Sequence, residues 1–370
     1  MKKTDEQRPV FAKIPADQAL FMELSRRVNK RLAELPAKRM WIVWLKMVLF
    51  PAIYLLWYAL ALLNTNQPVW FMLFFILMGF TSVSLFLNLI HEACHGNLLP
   101  KARWNRLYYY VFDLLGLNSY IWQVRHLELH HNYSNISGWD SDIEQSGPLK
   151  IYPHPAAPNR FHAVQHIVFP LLYILYLGNW IFTRDFKDFF NPEKIVRKAV
   201  PRIPAIEYLR LFFFKAFFVG YIFVVPLVFF DVAPWLLIGS AASMLVVASI
   251  FALLTLLPPH VNVSNQFPLP DAGNKMPTSW FMHQFLTAND VKADNFFTRH
   301  VMGNSNYHVV HHLFPNVSSA YAPEITKVVE SFAREHNLPY RAYTFREAFR
   351  MHYQLISSDA RQAAGLALEN

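Results

Sequence analysis

The sequence predicts an all-α integral membrane protein, with four transmembrane helices in two hairpins, interfacial helices and a cytoplasmic histidine-rich cap. Three observations carry that prediction. Of 370 residues 54% are hydrophobic and only 16% charged, a balance unlike that of a soluble domain. Four apolar runs, at 41–63, 69–90, 211–230 and 235–257, each approach or exceed the roughly 20 helical residues that cross a bilayer core. Half of the sixteen histidines fall into three short clusters, and the first cluster begins where a run ends.

The first forty residues hold ten Lys and Arg but no apolar stretch of the signal-peptide kind, so they are expected to be retained. Asp17 is placed to cap a helix in which Leu20, Phe21, Leu24, Val28 and Leu35 share one face, with Arg26, Arg27, Lys30 and Arg31 elsewhere. That pattern suits a helix lying on a membrane surface or one packed on protein. The first hairpin turns at Asn64-Thr65-Asn66-Gln67-Pro68 and the second at Asp231-Val232-Ala233-Pro234; neither turn carries a basic residue. Lys46 sits near enough to the start of its run to snorkel.

Outside the runs, 10 basic residues precede residue 41, 13 lie between 91 and 210, and 9 come after 257. With four crossings all three groups share one side, which the positive-inside rule makes the cytoplasm. Residues 167–182 compete as a fifth span, but Pro170, Gly178 and Asn179 interrupt them, and a crossing would export Arg184, Lys187, Lys194, Arg197, Lys198 and Arg202. They are therefore expected at the interface, as are residues 108–124, which contain Asp113 and Gly116. The expected division is a cytoplasmic amphipathic segment at 1–40, a membrane domain with its cap at 41–323 and a cytoplasmic helical segment at 324–370. The net charge of +9 tracks this sidedness and forms no basic stripe with interleaved aromatics, which argues against nucleic acid as a partner. A single cysteine, Cys94, excludes an intramolecular disulfide.

The clusters are His91 and His95; His126, His130 and His131; and His308, His311 and His312. Separations of three and four put imidazoles on one helical face, which is metal-ligand spacing three times over. Eight imidazoles exceed the needs of one tetrahedral zinc, whereas two ions with about four ligands each would use them all. Nitrogen-rich sites suit iron, copper or zinc. His91-Glu92-Ala93-Cys94-His95 by itself also fits the H-E-x-x-H pattern of zinc peptidases, with Glu92 as general base.

Together the clusters resemble the histidine boxes of the membrane-bound fatty acid desaturase family, H-x(3,4)-H, H-x(2,3)-H-H and (H/Q)-x-x-H-H. The resemblance extends over about residues 69–323 and includes Asn132-Tyr133-Ser134-Asn135, Asp140-Ser141-Asp142-Ile143 and Leu313-Phe314-Pro315. It implies a non-haem centre of two Fe ions ligated by His91, His95, His126, His130, His131, His308, His311 and His312. A further ligand upstream of the third box is expected at His283, with His260 and His300 as rivals. No catalytic residue beyond the metal centre is implied. O2 is the co-substrate, and the acyl substrate is carried as acyl-CoA, acyl-ACP or acyl-lipid. Two electrons come from a separate donor such as a ferredoxin or a b-type cytochrome. The active site is expected to face the cytoplasm of a multi-pass protein, in a bacterial inner membrane rather than the endoplasmic reticulum.

Other residues have two readings. Asn304 either assists through a bound water or forms a turn beside Gly303. Asp140 and Asp142 either hold a polar head group or basic partner, or make a hydrogen-bonded turn. His162 and His166 are read as part of the interfacial helix. Rival functions are a histidine-box hydroxylase, ketolase or acetylenase, an intramembrane zinc peptidase, and a non-catalytic lipid-binding or transport protein.

Overall fold

A computed structural model describes residues 8–36, 40–143, 149–154 and 160–368. The polar N-terminal segment forms α1 (Pro15–Glu34), and the first two apolar runs form α2 (Met40–Leu63) and α3 (Pro68–Cys94). Thereafter come α4 (Ala102–Tyr109), α5 (residues 119–133), α6 (Arg160–Ile174) and α7 (Tyr176–Phe190). The later apolar runs form α8 (Ala205–Phe229) and α9 (Pro234–Leu256), followed by α10 (Trp280–Thr287), α11 (His308–Leu313), α12 (Ala322–Glu335) and α13 (Phe345–Leu368), with shorter helical turns between them. Among the described residues the sheet is one parallel pair, β1 (Asp290–Val291) and β2 (Ala342–Tyr343), in which Asp290 faces Ala342 and Val291 faces Tyr343.

Four helices, α2, α3, α8 and α9, are long and apolar enough to cross a membrane. Both second members of the hairpins start on proline, Pro68 and Pro234, whose missing N–H costs nothing in a first turn. The spans are not equivalent. The apolar stretches of α3 and α9 are 61% and 50% buried, those of α2 and α8 only 11% and 28%, so α3 and α9 form the centre and the other two present leucine and phenylalanine outward. At the crossing of the central pair a Cβ on Gly79 would sit 2.3 Å from the Met244 carbonyl oxygen. Close approach of two backbones through a small residue is how helices gain packing where water supplies no hydrophobic drive.

Helices α6 and α7 meet at a bend of 69°, a broken span or a re-entrant pair rather than a straight crossing. Under them runs α13, held by Gln165 Nε2 to the Ile356 carbonyl at 3.0 Å and by Tyr173 Oη to His352 Nε2 at 2.5 Å. Residues 108–124 are no single helix: α4 gives way to the turn Val111–Leu114, then Gly116 at φ +86°, then α5, capped by Asn118 accepting from Ile121 N at 2.9 Å.

Two local expectations fail for physical reasons. Lys46 does not snorkel but turns inward, donating to Asn88 Oδ1 at 2.7 Å and to the Arg299 carbonyl at 3.0 Å, where fixed acceptors replace water. Asp17 does not cap α1; Pro15 opens that helix, and Asp17 instead accepts from Ser279 Oγ at 2.5 Å. Of the two readings of α1, the structure has the packed one: Leu24 and Val28 are buried in a cluster with Phe285, Val329 and Phe332, and Arg27 bridges Glu23 and Glu335.

Candidate metal centre

Two of the histidine boxes are positioned by an irregularity in their helix. In α3 the His91 N–H bonds the Phe86 carbonyl, five residues back, so residues 86–90 form a π turn directly before the first box. In α5 residues 124–130 do the same, with the His131 N–H on the His126 carbonyl. A π turn widens the helix and re-aims the side chains beyond it, and such turns gather at functional sites. The third box lies on α11, whose Val309 N–H is capped by Asp290 Oδ1 at 2.7 Å. Next to it Gly303, at φ +60°, packs so closely on α3 that a Cβ would come within 2.7 Å of the Leu87 carbonyl oxygen.

The imidazoles converge in two adjoining groups. One comprises His91, His95, His126 and His311, the other His130, His260, His308 and His312; within each, the ligand nitrogens all lie within 4.8 Å of one another. In the first, His126 Nε2 stands 3.0 Å from His91 Nε2, 2.9 Å from His95 Nε2 and 3.2 Å from His131 Nε2. In the second, His260 Nε2 is 2.9 Å from His312 Nε2 and 2.6 Å from His308 Nε2. His131 stands between the groups, its ring centroid 4.6 Å from those of both His311 and His312.

A neutral imidazole has one proton for two nitrogens, so His126 can satisfy at most one of its three neighbours. Lone pairs brought this close are stabilised by a cation among them. Ligands bonded at about 2.0–2.1 Å stand roughly 3 Å apart around one ion, which is the spacing found. The donor set therefore fits a metal in each group. Burial holds His126, His131, His260, His311 and His312 well below the usual imidazole range, and His95 down to about 4, so their lone pairs are free to bind at neutral pH.

The ring nitrogens facing away from the second group have partners. His130 Nδ1 donates to Asp140, at 3.1 and 3.2 Å from its two oxygens; His260 Nδ1 to the Thr287 carbonyl at 3.0 Å; His312 Nδ1 to Gln284 Oε1 at 3.1 Å. Such bonds fix the tautomer and turn Nε2 inward. Burial lowers His130, but Asp140 and Asp142 outweigh it and push that ring up to about 9. Asp140 is fully buried and also accepts from Asn135 N and Asp142 N, both at 2.8 Å. Of its two readings it is a hydrogen-bonded turn, and one that orients a histidine. That role was missed; its signal was an aspartate ten residues after His130.

The eight box histidines all arrive at this centre, seven of them in the two groups and His131 between them. A ninth imidazole, that of His260 in Pro258-Pro259-His260 just beyond α9, stands in the second group. His283 stands outside both groups, with Nε2 donating to the Ser134 carbonyl at 2.9 Å. His300, His162 and His166 also stand outside them. Asn304, at φ +60°, donates Nδ2 to the Ser319 carbonyl at 2.8 Å, a turn beside Gly303, while its Oδ1 is buried without a partner. The Glu92 carboxylate accepts from Ser319 N at 3.2 and 3.3 Å, which ties it to the turn before α12.

Two cavities lead inward from the histidines. One, a narrow space of about 60 Å³, is lined by His91, His126, His130, His260 and His308 together with Phe86, Tyr176, Trp180 and Leu256. Phe86, Tyr176, Trp180 and Leu256 also line the second, of about 50 Å³, which is otherwise almost entirely apolar and lies between α3, α7 and α9. Tyr54 lines this second cavity, its hydroxyl 3.0 Å from that of Tyr221.

Residues 68–344 match the family model for "Fatty acid desaturase". The sn-1 linoleoyl-lipid 6-desaturase of Synechocystis sp. is 28% identical over 277 residues, covering 73% of this chain and 75% of that protein. The acyl-lipid (8-3)-desaturase of Physcomitrium patens is 30% identical over 302 residues, 80% of this chain and 62% of that protein. Its namesake in Mortierella alpina is 30% identical over 286 residues, 76% and 63% of the two chains. The chain thus spans three quarters of the cyanobacterial relative and less than two thirds of the other two.

Proposed function

The chain belongs to the fatty acid desaturase family, and from that premise we propose that it places a double bond in the acyl chain of a glycerolipid, using two iron ions, O2 and two electrons. The lipid carrier is preferred over coenzyme A or acyl carrier protein because the Synechocystis, Physcomitrium and Mortierella relatives act on acyl-lipids or linoleoyl-lipids. The overall change is –CH2–CH2– + O2 + 2 e⁻ + 2 H⁺ → –CH=CH– + 2 H2O. An alkyl methylene has no acidic proton, so acid/base groups alone do not suffice. Iron, when bound, supplies the oxygen chemistry that removes unactivated hydrogen.

In this reading His91, His95, His126 and His311 hold one ion, and His130, His260, His308 and His312 the other. His131 serves the first group or bridges the two. Asp140, Gln284 and the Thr287 carbonyl keep three rings in register. Phe86, Tyr176, Trp180 and Leu256 guide the chain past the metals, its tail enters the apolar cavity ending at Tyr54, and the packed aromatic wall keeps water out. The histidine face looks toward the cytoplasm, of a bacterium rather than the lumenal system of a eukaryote.

The observation that carries this reading is the adjacency of two four-imidazole groups to a cavity whose apolar walls, Phe86, Tyr176, Trp180 and Leu256, continue into a second, apolar one. The test is expression in a host with a simple lipid profile, with mass spectrometry of intact lipids and metal analysis of the purified protein. New monounsaturation or polyunsaturation on glycerolipids with two irons per chain is expected. Hydroxylated chains, or zinc with peptidase activity that Glu92→Gln abolishes, would overturn it.

A further inference from the structure

Helix α13 divides its circumference in three. Ala348, His352, Leu355 and Ile356 are buried on the side of α6 and of the chain beyond α9. Next round the helix come Phe345, Phe349 and Tyr353, which span roughly 80° of it and are 37%, 37% and 41% exposed. Arg346 and Arg350 follow beside them, both exposed and without an ion pair among the described residues. Glu347 is turned back on the helix start, where it accepts from Thr344 N at 2.8 Å and from the Thr344 hydroxyl at 2.9 Å. Aromatic rings bordered by unpaired arginines are the pattern of a helix half-sunk among lipid head groups. A helix surrounded by water gains nothing by exposing three rings in a row.

Two observations fix what covers this face. The first is depth. His352 Nδ1 donates to the Val261 carbonyl at 2.5 Å, and the Met351 carbonyl accepts from Val263 N at 3.4 Å. The apolar run of α9 ends at Leu257, so these ties lie where a span passes from acyl chains to head groups. The second is continuity. Helix α6 packs on both α9 and α13, and it exposes Ile167, Leu171 and Leu175, while its Phe169 ring meets that of Tyr353 at 5.7 Å. The lipid-facing surface of α9, with Ile250 and Leu254, thus continues over α6 to the rings of α13.

We propose that α13 is a binding surface for anionic glycerolipids of the leaflet on the histidine side, with its rings at the acyl boundary and Arg346 and Arg350 on lipid phosphates. Each arginine strengthens the hold on an anionic head group about fivefold, an effect that salt weakens. The seat also bears on the histidine-lined cavity. Leu355 and Ile356 share one buried cluster with Leu253, Leu257 and Val261, three residues that wall that cavity. Anchoring α13 among head groups therefore holds this wall at the depth where a membrane lipid begins its acyl chain.

The experiment uses the full-length protein in lipid nanodiscs, with the fluorophore NBD attached at Phe349→Cys or, on the polar side of α13, at Gln354→Cys. Cys94 is buried, and the unmodified protein treated in the same way gives the background. Quenchers are phosphatidylglycerol or phosphatidylcholine with a shallow doxyl group, at equal mole fraction, and acrylamide in the water. Acrylamide is expected to quench the Phe349→Cys label about threefold less, or weaker still, than the Gln354→Cys label. Doxyl-phosphatidylglycerol is expected to quench the Phe349→Cys label about threefold better than doxyl-phosphatidylcholine at low salt, and Arg346→Glu/Arg350→Glu to level the two. Tyr353→Cys serves as a second site should removal of the Phe349 ring unseat the helix. Equal access of acrylamide to both sides of α13 would overturn the proposal. So would protection from acrylamide with no effect of either doxyl lipid, which would mean that a second copy of the chain covers the face. Equal quenching by the two lipids in protein that keeps both arginines would overturn the anionic head-group role. None of these readouts needs metal or product, so they decide the surface independently of the desaturase reading.

Discussion

The two imidazole groups lie side by side and are built differently. In the group of His130, His260, His308 and His312 all rings are buried, and three turn their outer nitrogens to fixed acceptors, Asp140, the Thr287 carbonyl and Gln284. In the group of His91, His95, His126 and His311, three rings are only partly buried, and neighbouring His131 keeps a buried Nδ1 without a partner. One group is preorganised by fixed acceptors; the other is held chiefly by the helices that carry it. The contrast teaches that a symmetric set of sequence motifs can build an asymmetric centre, because the supporting atoms come from elsewhere in the chain.

The contrast can be broken outright. His126→Ala in the first group and His260→Ala in the second are each expected to reduce product at least about a thousandfold and to lower bound iron from two to one or fewer per chain, by metal analysis. Should His260→Ala keep both ions while His283→Ala loses one, the membership of the second group is wrong. Asp140→Asn should sharpen the difference: iron affinity is expected to fall about 10–100-fold in the second group alone, seen as a biphasic chelator titration.

A third change acts on both groups together, since α11 supplies His308 and His312 to one and His311 to the other. Burial pushes its cap, Asp290, up from 3.8 to about 7. The folded form therefore binds this proton more tightly than the unfolded chain does. The stabilisation is present in full below pH 4 and is lost as pH rises through 7. Melting of the solubilised protein should show this downward slope between pH 4 and 7, and Asp290→Asn should flatten it. The smallest effect is expected of His283→Ala. Losing its bond to Ser134 costs about 1 kcal/mol, a drop of a few degrees in Tm, with product within about threefold of the unmodified protein.

Much of this was legible in the sequence. The four spans were, because hydropathy over 20 residues is insensitive to detail; so was the meeting of the boxes, because spacing and sidedness constrained them together. His260 was harder to see. It belongs to no repeated spacing, and its only mark is a place at the polar margin of a span, after two prolines, much as His91 sits at the margin of α3. Lys46 and Asp17 were misjudged because a lone charge in sequence looks as if only water could satisfy it, whereas Asn88 and Ser279 reach them from 42 and 262 residues away. The π turns could not be read, since the choice between bonding four or five residues back is made by neighbours such as Gly303 that pack against the helix.

Those turns carry a consequence for how the centre tolerates change in chain length. Each amounts to one surplus residue lodged in an otherwise ordinary helix. Removing a single leucine from 86–90 would leave a span of adequate length and apolarity, yet if the ladder relaxed to normal pitch, His91 and His95 would swing by about 100° around the helix axis. A chain shortened in this way would still enter the bilayer and fold its hairpins while having lost half of one ion's grip. Point substitutions in the same stretch should be far better borne than a deletion.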